Sequence, residues 1–288
     1  MPQKDLDNKL VMAAQRGSAA KVSKLLACGA DPRSCDSHAL RRAAEKGHEE
    51  CVRMLLPVSD PMAEASCALR WAANNGHIEC VRLLLPVSDP KAKRSSALAW
   101  AAEHGHAECV KLLLAVSDPT AEDSCALRVA ARNGHVACLR LLMPVSEPMA
   151  QDSYALRWAA HNGHAECVRL LLPLSDPEAD EFYALRAAAN NGHEECVRVL
   201  LGVLGPLCKI GGLLEQVFCR GHAKVAAVLI EEEPRLLDGV DLSKCLAVAL
   251  EKGQKDMAGL LSSIMDKREL MDVAPDAAAC GGRWHARL

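Results

Sequence analysis

CALRWAANNGHIECVRLLLPVSDPKAKRS, Cys67 to Ser95, decides how the rest of the chain is read. The same 29-residue phrase restarts at His38, Ser96, Cys125, Tyr154 and Tyr183. Its most constant mark is a Gly-His pair, at Gly47-His48, Gly76-His77, Gly105-His106, Gly134-His135, Gly163-His164, Gly192-His193 and Gly221-His222. A period in the range of about 20–50 residues signals stacked repeats. Such a chain is expected to offer a surface that holds something rather than a pocket that transforms it.

Within the phrase, Leu69, Ala72 and Ala73 fall on one helical face by the i, i+3, i+4 rule. Gly76 ends that helix, because the C′ position takes a positive φ. A second helix follows, with Cys80, Val81, Leu84 and Leu85 as its apolar stripe. Glu79 and Arg82 lie outside it as an i, i+3 ion pair worth a few tenths of a kcal/mol. Pro86 and the Ser88-Asp89-Pro90 turn stop the second helix. The unit is therefore helix, tight turn, helix, loop, with no alternation that predicts a long strand.

Both ends carry worn copies. Leu10, Ala13, Ala14 and Gly17 keep the first-helix phase, and Val22, Leu25 and Leu26 the second. Towards the C-terminus Leu214, Gly221, Val225, Val228 and Leu229 fit, as do Leu246, Ala249, Gly253, Met257, Leu260 and Leu261. Divergent end units are expected where a stack meets water. The chain divides into a solenoid over 1–265 and a tail over 266–288, in which Ala274–Gly282 reads as flexible. The solenoid holds nine units: an N-terminal cap (1–37), six regular repeats (38–202) and degenerate C-terminal caps (203–265).

Half of the residues are hydrophobic but only 3% are aromatic, so the core must be Leu, Ala, Val and Cys. The net charge of −3 gives no basic excess for nucleic acid, and charged side chains read first as solvated faces. The start, MPQKDLDNKLVMAAQRG, has no apolar stretch of the secretory kind. No segment is long enough to span a bilayer. Fourteen cysteines without an export signal point to free thiols in a reducing, cytoplasmic setting.

Residues Ala68 to Leu85 resemble the ankyrin repeat, whose pattern runs Thr-Pro-Leu-His-x-Ala-Ala-x-x-Gly-His-x-Glu-Ile/Val-Val-x-Leu-Leu-Leu. The first unit also keeps the Gly-Ala-Asp that follows in that family, as Gly29-Ala30-Asp31. The resemblance runs over about residues 6–265 and implies an all-α, or nearly all-α, ankyrin-like solenoid. There are departures. The family repeat has about 33 residues, Cys-Ala or Ser-Ala replaces Thr-Pro, and Arg41, Arg70, Arg128, Arg157 and Arg186 replace the motif His. The shortening falls between Asp89 and Leu98, where the family projects a β-hairpin, so the hairpins are expected to be shortened or lost. Binding is thereby expected to shift to the first-helix, concave face.

On that face the resemblance and the residue types nominate a partner-binding set. Trp71, Trp100 and Trp158 share one phase with Arg42 and Val129, and Arg70, Arg128 and Arg157 precede that slot. Trp and Arg are enriched among binding hot spots. The other reading of the tryptophans is that they fill space vacated by the hairpin. The residues just before each Gly vary inside a tight framework: Glu45-Lys46, Asn74-Asn75, Glu103-His104, Arg132-Asn133, His161-Asn162 and Asn190-Asn191. They read either as a tuned rim or as solvated helix ends.

The recurring His-x-x-Cys invites a metal or thiol array. Closed zinc sites need four ligands, however, and equivalent pairs one helix spacing apart, about 8–10 Å, cannot share an ion. Cys51, Cys80, Cys109, Cys138, Cys167 and Cys196 take the slot of a core Ile or Val and read as core. The periodic His is expected to bond backbone groups where the second helix begins. Phosphate-loop, dinucleotide, zinc-protease and nucleophile-elbow motifs are absent, and Gly211-Gly212 reads as a broken repeat turn. The expectation is a protein-binding scaffold or adaptor without catalysis, cofactor or metal. It is expected to be monomeric and to bind neither nucleic acid nor membrane. An effector or inhibitor aimed at one host or cellular protein fits the same residues.

Overall fold

The computed structural model describes residues 2–204 and 212–273, and among them it is helical with no strand. The chain divides into two compact units, Met1–Asp180 and Glu181–Leu288. The first holds α1 (Gln3–Gln15), α2 (Ala19–Ala27), α3 (Ser34–Glu45), α4 (Glu49–Leu55), α5 (Ala63–Asn74) and α6 (Ile78–Leu84). It continues with α7 (Ala92–Glu103), α8 (Ala107–Leu114), α9 (Ala121–Arg132), α10 (Val136–Leu142), α11 (Ala150–His161) and α12 (Ala165–Leu171). Odd-numbered helices pack side by side in one layer and even-numbered helices in a second, the first pair joined at Gly17-Ser18 and the others at their Gly-His turns.

The core is the predicted one. In the second repeat Leu69, Ala72, Ala73, Cys80, Val81 and Leu84 are buried, and Leu85 is half-buried at the head of a short 3-10 turn. The Gly of each pair adopts the left-handed conformation, for example φ 74° at Gly76.

The expected loss of the hairpin is realised in a specific way. Each connection closes with three consecutive residues in left-handed helical geometry: Glu64, Ala65 and Ser66 have φ of 52°, 54° and 56°. The same triplet recurs at 35–37, 93–95, 122–124 and 151–153. Left-handed geometry costs a non-glycine residue roughly 1–2 kcal/mol, so it needs support from its surroundings. The third residue supplies one part. The buried Ser66 hydroxyl accepts the Asp89 backbone N–H at 2.8 Å, and Ser37, Ser95, Ser124 and Ser153 repeat this bond to Asp60, Asp118, Glu147 and Asp176. Arginine supplies another. Arg70 donates from Nη2 to the Glu64 carbonyl (2.8 Å) and from Nε to the Ala65 carbonyl (3.1 Å). Arg41, Arg128 and Arg157 reach the equivalent first carbonyls of Cys35, Glu122 and Gln151. Asp89 Oδ1 accepts the Lys91 N–H at 2.9 Å, fixing the entry to the turn as an Asx turn.

The second unit opens on α13 (Ala179–Asn190), whose first turn lies at the unit boundary. It continues with α14 (Glu194–Leu201), α15 (Leu213–Arg220), α16 (Ala223–Glu232), α17 (Leu242–Glu251) and α18 (Lys255–Val273). Here Phe182 occupies the third left-handed position, φ 61°, and cannot accept as serine does. The last helix, α18, runs to Val273. The degenerate copies keep their phase: Leu214, Val225, Val228, Leu229, Ala249, Met257 and Leu261 are buried. Leu246 and Leu260 are half-buried. Ala274–Gly282 and Gly211 lie outside the described residues.

Candidate functional site

The first helices of the Met1–Asp180 unit bring the aligned side chains together. Trp71 is 38% exposed, and Trp100 and Trp158 are half-buried. None belongs to the Leu-Ala-Cys core. Trp71 and Trp100 meet with ring centroids 5.7 Å apart and planes at 50°. The Arg70 guanidinium lies over Trp100 at 5.3 Å, so the arginine that supports a left-handed turn also seats an indole of the next helix. Further along, Arg132 covers Trp158 at 5.0 Å and Arg128 covers Tyr154 at 4.9 Å. Trp158 also touches Tyr154 (5.6 Å) and His161 (4.9 Å). Contacts of the cation–π kind are each worth about 0.5–1 kcal/mol at exposed sites.

At the N-terminal side of this stripe Arg42 takes the tryptophan slot. It donates to His38 Nε2 at 3.1 Å and pairs with Glu45 at 2.7 Å, while Lys46 pairs with the same carboxylate at 3.0 Å. Burial lowers the His38 pKa, with Arg41 and Arg42 adding to the effect against Glu45. Arg42 and Lys46 hold the Glu45 carboxyl below its ordinary value, against an opposing desolvation. Val129, in the same slot, is half-buried.

The variable residues before each Gly divide by role. Asn75, Asn133 and Asn162 are exposed, yet their amides donate back to the Glu45, Glu103 and Arg132 carbonyls at 3.2, 2.9 and 2.7 Å. Asn74 is half-buried, and Lys46, Glu103, His104 and Arg132 are exposed; His104 Nδ1 reaches the Trp100 carbonyl at 3.0 Å. Arg157 also pairs with Asp180. Asn190 and Asn191 belong to the second unit, where Asn190 donates to Gln216 at 3.0 Å and Asn191 is half-buried.

The periodic histidines need a correction. Each stands at the N-cap of its second helix, but its side chain makes no cap bond. The ring reaches back instead: Nε2 of His77 donates to the Glu45 carbonyl at 3.0 Å, and His48, His106, His135 and His164 repeat this to Gln15, Asn74, Glu103 and Arg132. The physical reason is that an aromatic ring fits flat on the bare Gly of the preceding unit. The cysteines behave as core: Cys51, Cys80, Cys109, Cys138, Cys167 and Cys196 are at most 1% exposed. Burial pushes the thiols of Cys80, Cys109, Cys138 and Cys167 up to about 11. Among the described residues no group of three or more His, Cys, Asp or Glu side chains is placed to share a metal ion.

Three features escape the reading of residues alone. Tyr154 marks the start of a repeat and so looks like framework, although it packs on Trp158. Arg70, Arg128 and Arg157, nominated for partner contact, are also bonded to turn carbonyls. The buried serines recur at the repeat period, and that recurrence is the signal that could have found them.

A family profile of ankyrin repeats, in three copies, matches residues 10–94, 87–152 and 127–207. The chain belongs to the ankyrin repeat family. Ankyrin repeats are in general protein–protein interaction modules and typically non-catalytic. No curated protein matches this ankyrin repeat chain. Among its described residues no helix is long and apolar enough to cross a membrane.

Proposed function

We propose that this ankyrin repeat chain is a scaffold or adaptor that holds a partner protein on the first-helix face of the Met1–Asp180 unit, with no chemistry of its own. One observation carries the reading. In a chain with 3% aromatic residues, Trp71 and Trp100 on adjacent first helices, and Trp158 two first helices further on, stand exposed or half-buried outside the core. Indoles seated against guanidinium groups present a large apolar area on a pre-ordered frame. Such aromatic and arginine anchors dominate binding energies when a partner excludes water from them. Asn74, Glu103, His104 and Arg132 around them supply directional polar contacts. Part of the candidate set serves the frame as well, since Arg70, Arg128 and Arg157 also support the turns.

The test replaces Trp71, Trp100 and Trp158 by Ala and compares proteins captured from native extract, with circular dichroism as the fold control. A partner lost with the indoles while helicity is retained supports the reading; capture unchanged by the triple variant removes the face as the docking surface. An effector or inhibitor would use the same face, and the captured partner's identity would distinguish these roles.

A further inference from the structure

Charge is sorted by layer in the Met1–Asp180 unit. Over residues 38–46, 67–75, 96–104, 125–133 and 154–162, the first helices carry seven Arg or Lys and two Glu. Their partners in the second layer, 48–56, 77–85, 106–114, 135–143 and 164–172, carry five cations and five carboxylates. The connecting segments 31–36, 57–65, 86–94, 115–123, 144–152 and 173–180 carry thirteen carboxylates and four cations. A chain of net charge −3 thus concentrates positive charge on the layer that carries its tryptophans. Arg41, Arg70 and Arg128 bond neutral carbonyls, which leaves their charge intact, whereas Arg157 is paired with Asp180 and Arg42 and Lys46 share Glu45.

The N-terminal end of the same unit extends the pattern. A cleft of about 300 Å³ between α1 and α2 is lined by Lys9, Arg16, Lys21 and Lys24 over Met12 and Leu25, with no carboxylate in its lining. Met12, 46% exposed, stands five residues before Gly17, as Arg42 and Trp71 stand before Gly47 and Gly76, so the cleft continues the apolar stripe. An apolar stripe under a mainly cationic rim selects a ligand of opposite charge with apolar anchors, because like-charged competitors are repelled.

We infer that the occupant of the first-helix face is an acidic protein segment carrying aromatic or large aliphatic anchors, an inference that rests on the binding reading above. Nucleic acid fits less well. Glu45 and Glu103 interrupt the cationic rows, and the acidic connections flank them, so a continuous polyanion meets repulsion that spaced Asp and Glu side chains avoid.

The test measures binding of the full chain to a random Glu/Tyr copolymer by fluorescence anisotropy. A Lys/Tyr copolymer and a single-stranded DNA oligonucleotide serve as comparison ligands. The Glu/Tyr copolymer is expected to bind at least about tenfold more tightly than either, and to weaken about tenfold from low to near-physiological salt. Two independent charge reversals on the first-helix layer, Lys46→Glu with Arg132→Glu and Lys9→Glu with Arg16→Glu at α1, should each weaken it about fivefold or more. Reversal of Arg82 and Lys111 to Glu, on the balanced second layer, should not. Two pairs guard against one variant failing to fold, and the thermal midpoint of each is recorded. Tighter binding of DNA, equal binding of the Lys/Tyr copolymer, or affinity indifferent to both reversals would overturn the inference. So would a self-associated dimer that the copolymer fails to dissociate. A natural partner lost with the tryptophans but indifferent to the charge reversals would overturn this inference alone and leave the binding face standing.

Discussion

The imidazole of His77 lies on Gly47 of the preceding repeat: a Cβ added at Gly47 would stand 2.5 Å from its Nδ1, and its Nε2 meets the Glu45 carbonyl at 3.0 Å. Gly47 therefore answers two demands at once, a φ of 73° and a bare surface for the ring. At Gly29, φ 88°, only the first demand exists, since nothing lies within 4 Å of an added Cβ. Gly29→Ala should cost about 1–2 kcal/mol, the left-handed penalty alone. Gly47→Ala should cost clearly more, because His77 must move and surrender its bond. Parallel urea unfolding of the two variants checks this, and equal losses would contradict it.

The left-handed turns make opposite predictions for adjacent residues. Ser66→Ala leaves the Asp89 N–H without its acceptor in a buried site and should destabilise by about 1–3 kcal/mol. Ala65→Gly, at an exposed position with φ 54°, relieves the backbone and should stabilise by up to about 1 kcal/mol. Thermal melts that move the same way for both would show that the triplet is not held as described.

Acid sensitivity should reside partly in the histidine ladder. Burial lowers the His106 pKa from its ordinary 6.5, assisted by His104, His77 and His135 and opposed by its bond to the Asn74 carbonyl. The folded chain thus disfavours the charged ring. Its contribution to stability is complete above 6.5 and is lost as pH falls below that value through the folded pKa. Gln254 stands in the histidine slot of the last junction, packed on Gly221 and donating to the Cys219 carbonyl at 3.4 Å, and shows which residue can substitute. His106→Gln should flatten the fall in stability between neutral and mildly acid pH, as followed by urea unfolding across that range. An unchanged slope would contradict the assignment.

Thiol reactivity should follow burial. Cys28, Cys35 and Cys219 are exposed, whereas Cys80, Cys109, Cys138 and Cys167 are buried with thiols raised to about 11. Brief maleimide labelling near neutral pH, read by peptide mapping, should modify the first group and spare the second until the chain is denatured. Rapid labelling of Cys109 in the native protein would contradict the packing.

The repeat was legible because Gly76, Leu69 and Val81 answer local rules: a positive φ at a helix end and apolar spacing on one face. The left-handed turn was not, because Glu64-Ala65-Ser66 carries no glycine and its support comes from outside the triplet. The Asp89 N–H that justifies Ser66 lies 23 residues away, and the Glu45 carbonyl that fixes His77 lies 32 residues away. In the same way Arg70 and Trp100 were each visible as exposed-type residues, while their stacking belongs to the junction between two units and to neither alone. The sequence period could mark such residues as equivalent but not say which neighbour each one answers.

Cross-linking mass spectrometry on a purified complex with a captured partner tests the binding face most directly. Cross-links and protection from side-chain footprinting should cluster on α3, α5, α7, α9 and α11, with Trp71 and Trp100 protected on binding. A footprint confined to the second-layer helices, with both indoles as accessible as in the unbound chain, would contradict the account.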